Sequence, residues 1–458
     1  MFSKVLIANR GEIAVRIIRA LRELNVQSVA VYSTADADAQ YVKLADEAVC
    51  VGGPQPADSY LNMQNIVSAA VLTGAEAIHP GYGFLSENEE FAELCETCHI
   101  TFIGPKPETI SLMGNKANAR SQMQAGNVPV IPGSTGFLKD EADAVKVASE
   151  VGYPVMLKAA SGGGGKGIRR VQNEGEMRAA YQSATKEAQL SFGDQRMYLE
   201  KIVAPAKHIE VQVFADQFGH VTAFPERDCS LQRRQQKVLE LSPCPVMTEQ
   251  ERQELQAIAI RATKTIKYLN TGTIEFLMDN EHHFYFMEMN TRIQVEHPIT
   301  EAVSGIDLVK EQVRVAAGEA LSFKQSDLTP KGFAVEARVN AEDPALNFMP
   351  QAGVVKQLKL PGGPGIRVDS GIQAGDMISP FYDSMIVKII AHADTYQEAL
   401  KKLIEALDEF ELDGIATNQS FLAALLADPV VQQGTATTDY VTKQFMAKFT
   451  KHVVREVS

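Results

Sequence analysis

Glu288, Asn290, Arg292, Gln294 and Glu296 fall on every second position of the run Glu288-Met289-Asn290-Thr291-Arg292-Ile293-Gln294-Val295-Glu296. At the two-residue period of an extended chain they share one face, while Met287, Met289, Ile293 and Val295 turn to the other. Two carboxylates and a guanidinium along one stripe point to chemistry. Upstream, residues 271–278 and 283–288 have strand composition and are joined through Asp279-Asn280-Glu281-His282, which predicts a hairpin. With its loop centred on Glu281 and His282, Glu275 stands directly opposite Glu288. Facing carboxylates repel. A divalent cation reverses that sign, and Mg²⁺ commonly takes one or two carboxylates and completes its shell with phosphate and water. The pattern predicts a Mg-nucleotide site. The alternative is an exposed hairpin whose acids only solvate it, and the Asn and Arg that continue the stripe count against that.

The second chemical signal is Ser161-Gly162-Gly163-Gly164-Gly165-Lys166-Gly167, whose glycines let backbone amides approach phosphate oxygens. Gly162, Gly164 and Gly167 fit a dinucleotide fingerprint, but the flanks 155–158 and 168–171 read as strands. That fingerprint needs a following helix, and a Walker A loop needs Ser or Thr after its Lys. The expectation is a hairpin tip that closes over nucleotide phosphates as a lid, the alternative a surface linker. Lys116 and Lys158 suit phosphate binding as point charges. Arg233, Arg234 and Lys237 follow Glu226-Arg227-Asp228 and either hold a small anion or form local salt bridges.

These residues must be positioned by a chain of 458 residues, enough for two or three domains. A net charge of -13, from 44 basic against 57 acidic residues, argues against a nucleic-acid partner. The first residues run straight into a short strand with Arg10 and Glu12 behind it, unlike a signal peptide. No run is long and apolar enough for a membrane span, so the expected location is cytoplasmic. Five cysteines do not suggest a disulfide framework. Cys95-Glu96-Thr97-Cys98 lies in a helical run without a second pair at zinc spacing, which favours a structural role.

Strands and helices alternate over 1–113, with strands at 5–8, 28–32 and 101–103 and a helix at 13–24. This predicts a parallel α/β sheet. The turn His79-Pro80-Gly81-Tyr82-Gly83 follows a strand at 77–78, where open α/β sheets place their ligand crevice. Glu87 beyond it either faces a substrate or caps the next helix. A second unit, 114–330, opens with a helix at 115–125 and then reads mainly as strands and hairpins as far as Pro298. A third, 331–447, has a strand at 333–339, a turn-rich segment at 361–365 and helices at 397–409 and 418–426. Residues 448–458 form a tail.

Lysines, a glycine hairpin and an acidic hairpin together resemble the ATP-grasp fold. Ala8-Asn9-Arg10-Gly11-Glu12-Ile13-Ala14, His79 to Asn88, Met113-Gly114-Asn115-Lys116 and Glu288 to Pro298 resemble biotin carboxylase, over essentially the entire chain. The length and Leu44-Ala45-Asp46-Glu47-Ala48-Val49-Cys50 are most similar to the separate biotin carboxylase subunit of bacterial acetyl-CoA carboxylases. The resemblance implies a Rossmann-like N-terminal domain, an ATP-grasp domain with a mobile lid at about 131–203, and a mixed α+β C-terminal domain.

It also implies ATP-dependent carboxylation of biotin by bicarbonate through carboxyphosphate. Glu275 and Glu288 would bind Mg²⁺ or Mn²⁺, with Asn290 at a second metal. Lys116, Lys158, Gly164 and Gly165 would hold phosphates. Glu200, Lys201, Ile202 and Val203 would meet the adenine, with His208, Gln232, Gln235 and Leu277 nearby. Glu296 would be the base on bicarbonate, fixed by Lys237, Arg292 and the backbone at Gln294 and Val295, and Arg338 would stabilise the enolate-like biotin oxygen. Gln235, Leu241 and Pro364 depart from the family pattern, which often has His, an acid and an aromatic there. The Pro364 loop, Arg19 and Glu23 belong to the region linked with dimer contacts, so a homodimer is expected. No Met-Lys-Met attachment motif occurs, so biotin is expected on a carrier protein, with a carboxyltransferase completing the path to malonyl-CoA and fatty acids. A biotin carboxylase serving pyruvate or another acyl-CoA, and an ATP-grasp ligase with an amine acceptor, are the alternative readings.

Overall fold

The computed structural model describes residues 1–160 and 167–449. The chain forms two compact units, one of Met1–Ser111, Lys207–Ile274 and Met289–Ser458, the other of Leu112–Ala206 and Glu275–Glu288. The expected strand and helix alternation at the start of the chain builds a five-stranded parallel sheet, ordered Glu47–Gly52, Gln27–Ser33, Lys4–Ile7, Ala77–His79 and Thr101–Phe102. Helix Gly11–Glu23 places Ile13, Ile17 and Leu21 in a core shared with Leu308, Val309 and Val313. It buries Glu12 and Arg16 as well, and a buried charge needs partners.

The same unit contains antiparallel strands in the order Lys207–Ala215, Arg227–Arg233, Gln236–Ser242, Phe333–Asn340, Met385–Ala393 and Ile366–Ser370. Alternation gives their two faces different chemistry. Leu239, Leu241, Val335, Ala337, Val339, Val387 and Ile389 enter an apolar core with helices Tyr396–Glu409 and Gln419–Leu426. The opposite face carries Glu240 against Glu336, and Lys388 between Arg338 and Asp369. Helix His297–Ser304 covers this face through Ile299 and Val303, which meet Ala334 and Ile390.

In the other unit, strands Ile168–Val171 and Met197–Lys201 flank Val155–Ala159 in an antiparallel sheet. The expected pairing across the glycine segment is present, from Val155 opposite Val171 to Lys158 opposite Ile168. Gly164 and Gly165 lie outside the described residues.

The middle of the chain holds more helix than expected: Glu141–Val151, Glu174–Phe192 and Glu249–Thr265. Their signals were chemical rather than periodic. Asp140 and Asn173 cap the first two through the amides of Asp143 and Glu176, Thr248 and Glu251 form a capping box on the third, and Gly193 ends the second in left-handed backbone.

The alternating ribbon also differs. The strand ends at Asn290, and a helix begins at His297 with Pro298 in its first turn and Gly305 as its left-handed terminus. Proline is preorganised for that first turn, so residues 291–296 leave the strand and only its first members share a strand face. The hairpin closes with the Asp279 amide on the His283 carbonyl, centring the loop on Glu281.

Among the described residues no helix is long and apolar enough to cross a membrane. The C-terminal core turns on Phe421, whose ring meets Phe348 at 4.9 Å and Phe449 at 5.4 Å between centroids. Phe421→Ala should destabilise by roughly 3–5 kcal/mol, read as a lower urea midpoint by far-UV circular dichroism, since the chain has no Trp to report.

Candidate active site

Glu296 immediately precedes the helix whose start displaced the ribbon, and it is 2 % exposed. It accepts hydrogen bonds from Lys237 Nζ at 2.5 Å and Arg338 Nη2 at 2.9 Å. Lys237 also donates to Glu210 at 2.6 Å, and Glu210 accepts from the fully buried Arg227 at 2.5 Å. Arg227 reaches on to Gln294, Gln212, Thr300 and Thr273. On its other side Arg338 contacts Glu240 through Nε at 2.6 Å. Burial works to raise the Glu296 pKa, but Lys237, Arg338 and Arg227 outweigh burial and Glu210, so it lies below the usual carboxylate value. Glu296 is therefore ionised, and its proton affinity is set by how the surrounding cations are shared.

Lys237, Arg292, Val295 and Arg338 line a cavity of about 550 Å³ together with Asn9, Arg10, Tyr82, Phe84, Phe381 and Tyr382. Glu87 does not cap the next helix. It accepts from the Thr291 amide and from Arg292 Nε, both at 2.9 Å, while Asn88 caps the following helix. Arg292 also donates to Asn290 Oδ1 at 3.2 Å. Gln294 is occupied with Arg227, so its side chain braces the site. His208 and Gln232 pair at 3.1 Å, and His208 stands 3.6 Å from Glu210.

The Arg233, Arg234 and Lys237 cluster divides. Arg233 stacks on Phe348 at 3.6 Å and Arg234 bonds Asn347, so only Lys237 belongs to this site. Gln235 is exposed in the tight turn between two strands at positive φ, and Leu241 is buried in the C-terminal core. The partners of Arg338 are Glu240 and Glu296.

In the other unit Lys116 Nζ lies 2.9 Å from Glu288. Burial opposes its charge, but Glu288, Glu200 and Glu275 raise its pKa, so both hairpin carboxylates act on this one lysine. Lys158 donates to Glu200 at 2.5 Å. The amides of Lys201 and Ile202 bond the carbonyls of Pro132 and Pro154. Lys201 is exposed, and Ile202, Val203 and Leu277 are half-buried. Carboxylate oxygens at Glu275 and Glu288 are of the kind a hard divalent cation takes. Glu210, Cys229 and Glu296 also lie within 4.8 Å of one another, but Lys237 and Arg227 already balance the carboxylates and burial raises the Cys229 pKa well above the usual thiol range.

Glu210, Arg227, Glu240, Tyr82 and Lys388 were not singled out by the sequence reading. The signal for Glu210 was the alternation of His208, Glu210 and Gln212 with Ile209, Val211 and Val213 in Lys207–Ala215, a strand buried along its whole length.

Architecture and residues together define an ATP-grasp enzyme. Residues 1–110 match the family model for biotin carboxylase, N-terminal domain, residues 115–324 that for the carbamoyl-phosphate synthase L chain, ATP binding domain, and residues 336–443 that for the biotin carboxylase C-terminal domain. The chain is 50% identical over 442 residues to biotin carboxylase 1 of Bacillus subtilis (strain 168), covering 96% of this chain and 98% of that one. The biotin carboxylase-β-γ-ATP complex of Campylobacter jejuni superposes with a TM-score of 0.92 at 44% identity, over 97% of this chain and 99% of that one. The biotin carboxylase domain dimer of Hydrogenobacter thermophilus 2-oxoglutarate carboxylase, in complex with MgADP, ADP and bicarbonate, superposes at 0.90 and 47% identity, over 97% and 98%. The chain belongs to the biotin carboxylase family, enzymes that carboxylate biotin at the expense of ATP.

Burial is the largest influence on Glu240 and raises its pKa from an ordinary 4.5 to about 7, against the pull of Arg338 and Lys237. Between those values the folded protein keeps a proton that the unfolded chain has released, so this group's contribution to stability falls as pH rises through the window. Glu240→Gln removes the titration. Its Tm relative to the unsubstituted protein should shift in the variant's favour from roughly pH 5 to pH 8, measured by calorimetry across that range.

Proposed function

We propose that this chain is the biotin carboxylase subunit of an acetyl-CoA carboxylase, performing the first half-reaction of malonyl-CoA formation for fatty acid synthesis in the cytoplasm. The observation that carries the catalytic part is the ionised, buried Glu296 clamped by Lys237 and Arg338, two residues that line the cavity. Bicarbonate entering beside Lys237, Arg292 and the Val295 backbone draws those cations toward its own charge. Glu296 thereby gains basicity when the proton must move, and takes it from bicarbonate. The resulting oxyanion attacks the γ-phosphorus of ATP, giving carboxyphosphate and ADP. Carboxyphosphate breaks down to CO₂ and phosphate, the phosphate takes the biotin ureido proton, and Arg338 meets the charge that develops on the ureido oxygen.

Lys116, Lys158, Gly164 and Gly165 are the residues we assign to the phosphates. The adenine falls to Glu200, Lys201, Ile202, Val203 and Leu277, with His208, Gln232 and Gln235 also assigned to the nucleotide. Because the amides of Lys201 and Ile202 already bond proline carbonyls, these two would meet the base through their carbonyl oxygens. Glu275, Glu288 and Asn290 would hold the two Mg²⁺ or Mn²⁺ ions, which when bound offset phosphate charge. A homodimer is proposed in line with the dimeric biotin carboxylase domain of the Hydrogenobacter enzyme. Biotin would come on a carrier protein, and a carboxyltransferase would take the product. The resemblance of that same protein, a 2-oxoglutarate carboxylase, makes a different final acceptor the second reading, to be resolved by the carboxyltransferase that copurifies.

ATP cleavage should require bicarbonate and rise on adding free biotin. Loss of the biotin response would point instead to an ATP-grasp ligase with an amine acceptor. Glu296→Gln should lower kcat by roughly 100-fold or more with little change in the KM for ATP. Glu288→Gln should raise the Mg²⁺ concentration needed for half-maximal rate, seen by titrating Mg²⁺ at fixed ATP.

A further inference from the structure

Lys388 is fully buried on the polar face of the antiparallel sheet, paired across strands with Arg338 on one side and Asp369 on the other. Two cations side by side away from water need specific counter-charges; both face the buried Glu336, and each has further partners of its own. Arg338 takes Glu240 and Glu296. Lys388 Nζ lies 3.0 Å from Glu12 Oε1 and 3.9 Å from Asp369 Oδ2. Asp369 is held closely by Arg367, which bonds both its oxygens at 2.9 and 2.7 Å, so Glu12 is the main partner of the lysine. Glu12 in turn accepts the hydroxyl of Tyr82, a cavity residue. Lys388 spends its shortest hydrogen bond on the main-chain carbonyl of Val295, at 2.7 Å.

That carbonyl belongs to the peptide joining Val295 to Glu296. Val295 lines the cavity, and Glu296 is the buried carboxylate behind it. Residues 291–296 form no strand or helix of their own, so ladder bonds do not fix this peptide. We propose that Lys388 is a positioning residue for the bicarbonate site: with Glu12 as counter-ion it orients the Val295–Glu296 peptide, and through Glu12 it ties that peptide to Tyr82 on the cavity wall. A cation suits the task because a charged donor holds an acceptor more firmly than a neutral one and cannot exchange roles with it. The proposal rests on reading the cavity as the place where bicarbonate is held.

Lys388→Met removes the donor and the charge while keeping the length of the stem. The KM for bicarbonate should rise roughly tenfold or more, the loss expected for one charged hydrogen bond, while the KM for ATP stays within about twofold. A lysine that only stabilised the sheet would lower Tm and the active fraction and leave both KM values alone, and that result overturns the proposal. If Lys388→Met does not fold, Lys388→Met with Glu12→Gln and Glu336→Gln removes with the lysine the two buried carboxylates that face it most strongly and carries the same comparison. Failure of both to fold assigns the pair to folding and also overturns it. Unsubstituted protein whose ATP cleavage ignores bicarbonate defeats the reading of the site. A bicarbonate response that survives Lys388→Met with its KM unchanged defeats only the role of Lys388.

Discussion

Charge removed from water must be balanced where it stands, and this constraint organises the centre of the larger unit. Glu210, Glu240, Glu296, Arg227, Lys237, Arg338 and Lys388 are all wholly or mostly buried, and each costs several kcal/mol to desolvate unless partnered. They form chains in which one cation serves two carboxylates, as Lys237 does for Glu210 and Glu296 and Arg338 does for Glu240 and Glu296. Sharing of this kind makes the proton affinity of one member depend on every other. A small anion arriving among these cations changes Glu296 more than it could change an isolated surface carboxylate.

The sheet that carries these groups separates stability from chemistry by strand alternation. Leu239, Val335, Ala337, Val387 and Ile389 take one face into an apolar core, and Glu240, Glu336, Arg338 and Lys388 take the other. Because neighbouring residues on one strand do both jobs, the charged layer inherits the rigidity of the core behind it. Helix His297–Ser304 completes the arrangement, packing on the polar face through Ile299 and Val303 while its first turn fixes the approach of Glu296.

The chemistry-bearing residues were legible where type and local spacing suffice. The parallel sheet followed from strand and helix alternation, and the pairing of 155–158 with 168–171 from the strands on either side of the glycines. Arg338 entered by resemblance, and Glu296 entered by its place in the stripe while its role as base came from the resemblance. The alternating stripe failed after Asn290 because a helix start at Pro298 overrides a two-residue period, a competition visible only once Pro298 and Gly305 are weighed together. Helices 141–151 and 174–192 were missed because their evidence lies in caps rather than apolar periodicity. Partners such as Glu210, Glu240 and Lys388 are joined to the site by contacts across tens to hundreds of residues, and single-chain spacing carries no trace of those.

The larger unit is assembled from three separate stretches of chain. Lys388 meets Glu12 and Val295, Arg338 meets Glu296, and Glu87 meets Thr291 and Arg292. During synthesis the N-terminal sheet therefore emerges long before the segments that cover helix Gly11–Glu23, and Ile13, Ile17 and Leu21 wait uncovered for Leu308, Val309 and Val313. Contacts of such separation close slowly, and exposed apolar surface in the interval invites aggregation. The cost of building a catalytic centre from both ends of a polypeptide falls on the ribosome-bound chain, which must be shielded until its last third has been made.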